Sequence, residues 1–162
     1  MKTIQLFLTA VIAMVMLGFA SCSTTNAVAK SEMAQTIKTQ IEERHYKIEV
    51  ARMFPMSGGA RSLTSSYSLA INGDSIQSHL PYFGKAYSIP YGGGQGLVFE
   101  APATDYTLNF NPKGTAEIKL LARSQDDTFR YHILISEDGN ASIQVTSNNR
   151  QPIGYSGKME EL

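Results

Sequence analysis

From Tyr46 to the C-terminus, apolar residues fall at every second position in one short run after another. Tyr46, Ile48 and Val50 alternate with Lys47, Glu49 and Ala51 until Arg52 interrupts ahead of Phe54-Pro55. Tyr67, Leu69 and Ile71 end at Asn72-Gly73. Tyr106, Leu108 and Phe110 stop at Asn111-Pro112-Lys113-Gly114, and Ala116, Ile118, Leu120 and Ala122 resume on the far side. Phe129, Tyr131, Ile133 and Ile135 run into Asp138-Gly139, after which Ala141, Ile143 and Val145 return. A period of two turns one face of each run toward a core, because successive strand side chains point to opposite faces. Asn-Gly and Asp-Gly accept the positive φ of a tight turn, and Asn-Pro-Lys-Gly has turn chemistry of its own, so these three points predict hairpins. With Ile153 and Tyr155 closing the series, the pattern predicts roughly eight or nine strands, the content of an antiparallel β-sandwich or small barrel.

A different period precedes the strands. Ala34, Ile37 and Ile41 recur at three- and four-residue spacing from Ser31 onward, with Met33 beside the stripe, and predict one N-terminal amphipathic helix. Glu32 in its first turn and Arg44 and His45 near its last suit the helix dipole. A chain of 162 residues with 43% hydrophobic content supports one core, so residues 31–162 read as a single β-rich domain.

The first residues read as a processing signal: Met1-Lys2-Thr3, then an apolar run from Ile4 to Ala20 broken only by Gln5, Thr9 and Gly18. Phe19-Ala20-Ser21 suits an ordinary signal peptidase poorly, since Phe occupies the outer position that should be small. Ala20-Ser21-Cys22 instead resembles the lipobox of bacterial lipoproteins, with Phe19 where an aliphatic residue is usual. That resemblance implies cleavage before Cys22, a thioether from its sulfur to diacylglycerol, and acylation of the new amino group. Cys22 is the single cysteine of the chain, so no intrachain disulfide competes for it. Each buried methylene of an acyl chain contributes about 0.8 kcal/mol, and several chains on one residue make a firm anchor. The apolar run also approaches the roughly 20 residues of a transmembrane helix, but the small pair placed directly before the cysteine favours lipidation. Residues 1–21 are then the leader, 22–30 a polar tether opening with Ser23-Thr24-Thr25-Asn26, and the membrane is a partner through lipidated Cys22.

Charge removes one class of partner. Fourteen basic residues balance 14 acidic ones, which leaves no positive field for nucleic acid. The run Gly92-Gly93-Gly94-Gln95-Gly96 lacks the following helix and the Lys-Ser/Thr pair of a phosphate cradle, and no cofactor is expected. His45, His79 and His132 stand in no metal-ligating spacing, so no metal is expected. Gly154-Tyr155-Ser156-Gly157 imitates a nucleophile elbow with its last glycine one place early, in a strand pattern. Asp126-Asp127 and Glu137-Asp138 fall where strands turn, the default place for solvated carboxylates. Arg150, beside Asn148 and Asn149, is either an exposed turn cation or an anion clamp.

The least regular segment is LPYFGKAYSIPYGGGQGLVFEAP, residues 80–102. Its Tyr82, Phe83, Tyr87 and Tyr91 are the candidate ligand- or partner-binding residues, acting either as a lid over one end of the core or as a platform for a sugar, peptide or lipid. With SYSLAINGD and SNNRQPIGYSG, this segment resembles the domain-of-unknown-function 4251 family of small exported proteins and lipoproteins from Bacteroides-like bacteria, over most of residues 31–160. The resemblance implies an envelope location and brings no catalytic residue. Ser23 to Asn26 carries no acidic pair of the kind that marks surface export in such bacteria, so the expected place is the outer membrane, facing the periplasm. The functional expectation is a non-catalytic binding or structural module for an unknown ligand or envelope protein. The alternative is a polymer-directed hydrolase that brings His79 to an acid such as Asp105.

Overall fold

A computed structural model describes residues 24–87, 96–125 and 127–160. The leader, Cys22 and Tyr91 lie outside the described residues. Helix α1, Thr24–Glu42, precedes eight strands: β1 His45–Pro55, β2 Arg61–Asn72, β3 Ser75–Leu80, β4 Leu97–Phe110, β5 Ala116–Arg123, β6 Thr128–Ile135, β7 Asn140–Ser147 and β8 Ile153–Met159. Each strand is antiparallel to the next, and β8 returns to pair with β1. That last pairing decides between the two predicted architectures: the sheet is a closed barrel.

Alternation sets the register. Ile118 pairs with Ile133, Ile133 with Ile143, and Ile143 with Tyr155, so inward residues meet in layers around the barrel. The interior is occupied by the protein's own side chains. A ligand-sized hollow would leave accessible surface on its lining, and Ile48, Leu69, Ile76, Ile118 and Ile133 are each 0% exposed. Two hydroxyls inside the barrel are satisfied: Tyr131 donates to Ser78 Oγ at 3.1 Å, and Ser78 donates to the Leu97 carbonyl at 2.7 Å. Outward positions include the polar Glu49, Lys119, Arg130 and Gln144 and the apolar Val98 and Leu134. No helix among the described residues is long and apolar enough to cross a membrane.

One barrel end carries the close of α1 and the turns at 73–74, 111–115 and 136–139. The other carries the connections 56–60 and 148–152 and the described residues 81–87, 96, 124–125 and 127. These are the helix end and the loop end. Ile37 and Ile41 of α1 are buried as their spacing predicts, and Ile37 lies against Gly139 in the β6–β7 turn. Lys38 sits 5.4 Å from the Phe110 ring and the Arg44 guanidinium 4.3 Å from that of Tyr106. Arg44 closes the helix at φ 54 and binds the β2–β3 turn, accepting from Gly73 N at 2.8 Å and donating to Asp74 at 2.8 Å. The helix begins at Thr24, earlier than Ser31, because Ala27-Val28-Ala29-Lys30 contains no breaker and carries the helix back through the segment read as tether.

Two strands carry bulges. Arg52 does not end β1; a bulge at Ala51 shifts the register between Val50 and Arg52, and the strand continues to Pro55. In β4 the shift lies between Thr104 and Thr107, with Asp105 at φ 52, and it re-aims Tyr106 and Phe110 toward α1.

The β1 bulge lies on the seam that closes the barrel. Gly157 of β8 faces Val50 there, and a Cβ on Gly157 would collide with the Glu49 carbonyl and the Val50 backbone. Gly154 differs, because a Cβ would sit 3.2 Å from Gln144 Oε1, the movable tip of a side chain. Gly157→Ala is therefore expected to destabilise the protein by about 1–3 kcal/mol or more, the usual range for forced overpacking, and Gly154→Ala by clearly less, as read from urea unfolding midpoints.

Candidate functional site at the loop end

The segment after β3 is stitched to the β7–β8 connection rather than hanging free. Ala86 and Arg150 form an isolated bridge. Tyr87 N donates to Asn149 O at 2.7 Å, Gln151 N to Lys85 O at 3.0 Å, and Lys85 N to Gln151 Oε1 at 3.1 Å. The Tyr82 hydroxyl lies 2.9 Å from Lys85 O and 3.2 Å from Gln151 O, and Tyr155 donates from inside the barrel to Pro81 O at 2.7 Å. Burial pushes the Tyr155 and Tyr82 hydroxyls above the usual phenol range, so both serve as neutral donors. Tyr82 is thus half-buried and tied down.

Beneath it lies a buried ion pair that the sequence reading placed in solvent. The Asp127 side chain is 2% exposed and that of Arg150 10%, with Arg150 Nε 4.0 Å from Asp127 Oδ2. Asp127 Oδ1 accepts from Thr128 N at 2.8 Å, and Arg150 donates to Gly96 O at 3.1 Å. The guanidinium also stands 5.4 Å from the Tyr82 ring and 5.9 Å from that of Phe129. Arg150 is therefore an internal strut, neither a solvated turn cation nor an open anion clamp. Asp127 departs from the expected solvated carboxylate because the turn Ser124–Asp127 folds inward: Ser124 N donates to Asp127 O at 2.9 Å. Asp126 lies outside the described residues. Glu137-Asp138 behaves as predicted, exposed in its turn, with Asp138 accepting from Ser136 Oγ and Asn140.

The remaining aromatic residues point outward. Phe83 is 46% exposed and Tyr87 70%. Arg61 covers part of the Phe83 ring, its guanidinium carbon 3.7 Å from the centroid. Phe54 and Met56, at the end of β1 and in the turn beyond it, expose further apolar surface at this same end. Sequence reasoning passed over Phe54, Met56 and Arg61; the signal was an apolar Phe54-Pro55-Met56 abutting Gly58-Gly59, which puts large side chains on a turn.

Acid–base chemistry finds little assembly among the described residues. His79 pairs with Val98, while Asp105 lies much further along β4, roughly 20 Å away at about 3.3 Å per strand residue. The structure does not bring them together. His79 packs against the Tyr67 ring and His45 lies 3.2 Å from Asn72 Oδ1. His132 meets Glu117 at 2.9 Å on the outer surface of β5 and β6, where Lys119 holds the same oxygen at 2.7 Å. No cluster of metal-ligating side chains occurs among the described residues.

Two measurements follow from these contacts. Arg150→Ala strands a buried carboxylate and is expected to cost about 3–5 kcal/mol in urea unfolding, whereas removing both charges together, Arg150→Met with Asp127→Leu, should recover most of that loss. Lys119, then His132, hold the Glu117 carboxyl below its usual range. Any stabilisation from it is thus present above the ordinary carboxylate pKa and is lost as pH falls through the lowered midpoint. A carboxyl carbon NMR titration should show that depressed midpoint, and Lys119→Ala should raise it.

Comparison with known proteins agrees with this architecture. No match is found among curated proteins. A crystal structure of a DUF4251 family protein from Bacteroides eggerthii DSM 20697 superposes with a TM-score of 0.64 at 14% identity, covering 83% of this chain and 91% of the other. At that identity the likeness establishes the fold. The family profile described as "Domain of unknown function (DUF4251)" matches residues 29–159, nearly the whole described chain, and this protein belongs to that family.

Proposed function

We propose that this protein is a non-catalytic, lipid-anchored envelope module that presents an aromatic surface to a ligand or partner. The observation that carries this reading is the pairing of exposed Phe83 and Tyr87 with a rigidly stitched loop base, on a barrel whose interior is already filled. Recognition on such a scaffold takes place outside the barrel, on loops that the sheet holds still. Rigid aromatic side chains supply much contact area while losing little conformational entropy.

The anchor rests on the sequence around Cys22. The periplasmic face of the outer membrane is the proposed location.

Cys22→Ala is expected to abolish incorporation of radiolabelled palmitate and to release the protein from the membrane fraction; unchanged labelling and retention would remove the anchor from this reading. Combining Phe83→Ala with Tyr87→Ala is expected to weaken capture of the native envelope ligand or partner by about tenfold or more. Because both side chains are exposed, the thermal midpoint should hardly move. Equal capture by the double variant would remove the platform.

A further inference from the structure

Opposite the single bulged residue Ala51, β2 makes a much larger excursion. Its pairing with β1 passes from Tyr67↔Val50 to Ser62↔Arg52, so Leu63, Thr64, Ser65 and Ser66 have no partner in β1. They have none on the other side either, because β3 joins β2 only from Ser68. Four consecutive residues of a nominal strand thus carry backbone N–H and C=O groups outside the ladder, and Thr64, Ser65 and Ser66 are exposed. A bulge on an edge ordinarily discourages pairing with other chains.

This one borders a trough. A cavity of about 700 Å³ lies between the Leu63–Ser66 segment and the neighbouring parts of β1, β8 and β7, within the 300–1,000 Å³ range of ligand clefts. Part of its lining is small, with Ala51, Gly157 and Ala141, so the bordering backbone is approachable. Hydroxyls of Thr64, Ser65, Ser66 and Ser156 border it.

Its charges are uneven. Arg52 and Lys158 line the trough, and neither has an ion-pair partner among the described residues. The carboxylate of the lining, Glu49, is engaged elsewhere: it interacts with Glu160, which pushes its pKa up and is itself paired with Lys47 at 2.8 Å. The trough therefore offers two cations without an ion-pair partner among the described residues, Lys158 standing opposite Glu49 in the β1–β8 register, beside a stretch of backbone outside the ladder.

We propose that this trough binds an extended peptide strand bearing carboxylate side chains. Backbone groups of Leu63–Ser66 pair with the peptide main chain, as in strand addition to a sheet edge, and Arg52 and Lys158 take its carboxylates. Because Tyr67 and Ser62 pair with Val50 and Arg52, only two residues apart, the four unpaired residues arch out of the ladder between those pairs. The site is separate from the aromatic loop and does not depend on the function proposed for it.

The test is fluorescence anisotropy with the full chain in nonionic detergent and a fluorescein-labelled peptide of alternating Thr and Glu, about eight residues long. Saturable binding is expected, with an alternating Thr-Lys peptide at least about tenfold weaker. Arg52→Glu with Lys158→Glu should reverse that preference, and methylating alternate peptide nitrogens should abolish binding by removing main-chain donors. Phe83→Ala with Tyr87→Ala should leave it unchanged. Absence of saturable binding by a variant-free chain, indifference to the charge reversal or to N-methylation, or binding of oligogalacturonate in place of the peptide would each overturn the proposal. Circular dichroism confirms that the charge-reversed chain is folded before it is compared.

Discussion

Closure of the sheet on itself at the β1–β8 seam is the constraint from which the rest of this structure follows. Once β8 pairs with β1, the sheet has no open end and its inward residues are committed to one shared interior. Closure demands local accommodation, visible as the bulge at Ala51 and the missing side chain at Gly157. The same irregularity leaves the excursion of β2 and the trough beside it. The feature that lets the barrel close thus also gives its outer surface relief.

A filled interior divides the molecule's remaining possibilities between its outer surface and its two ends. The helix end is sealed by Ile37 and Ile41, with Arg44 and Lys38 laid over aromatic rings. The loop end is sealed differently, by a polar core of Tyr82, Tyr155, Arg150 and Asp127 that ties one connection to another. A buried ion pair stabilises less than its geometry suggests, because desolvation of both charges opposes their attraction. Its effect here is better seen as fixing one arrangement of the loop, which holds Phe83 and Tyr87 outward on a rigid base.

The alternating runs made most strands legible before any coordinates, since a half-buried strand writes its two faces directly into the sequence. The turns at Asn72-Gly73, Asn111–Gly114 and Asp138-Gly139 were readable for the same local reason: Gly73, Gly114 and Gly139 all take positive φ. Closure was not readable, because sandwich and barrel share one alternation and differ in which distant strands pair. The bulge at Ala51 looks like a strand end in the sequence, as an inserted residue breaks the period without ending the ladder. The early start of α1 was missed because residues with modest helix propensity extend a helix without marking it. Arg150 and Asp127 were misplaced for a deeper reason: turn composition predicts exposure, and only the fold brings two opposite charges from separate turns together under a third segment. Of the candidate aromatic residues, Tyr82 is half-buried with its hydroxyl bound to Gln151 O, whereas Phe83 and Tyr87 face solvent.

The central claim is that the barrel is filled by its own side chains, so that whatever the protein recognises is met on its exterior. Native mass spectrometry of the protein purified intact from its own cells tests this most directly. The account predicts the polypeptide with no apolar molecule held non-covalently in stoichiometric amount. A tightly held lipid or other apolar guest, present at one per barrel and released only on unfolding, would contradict it.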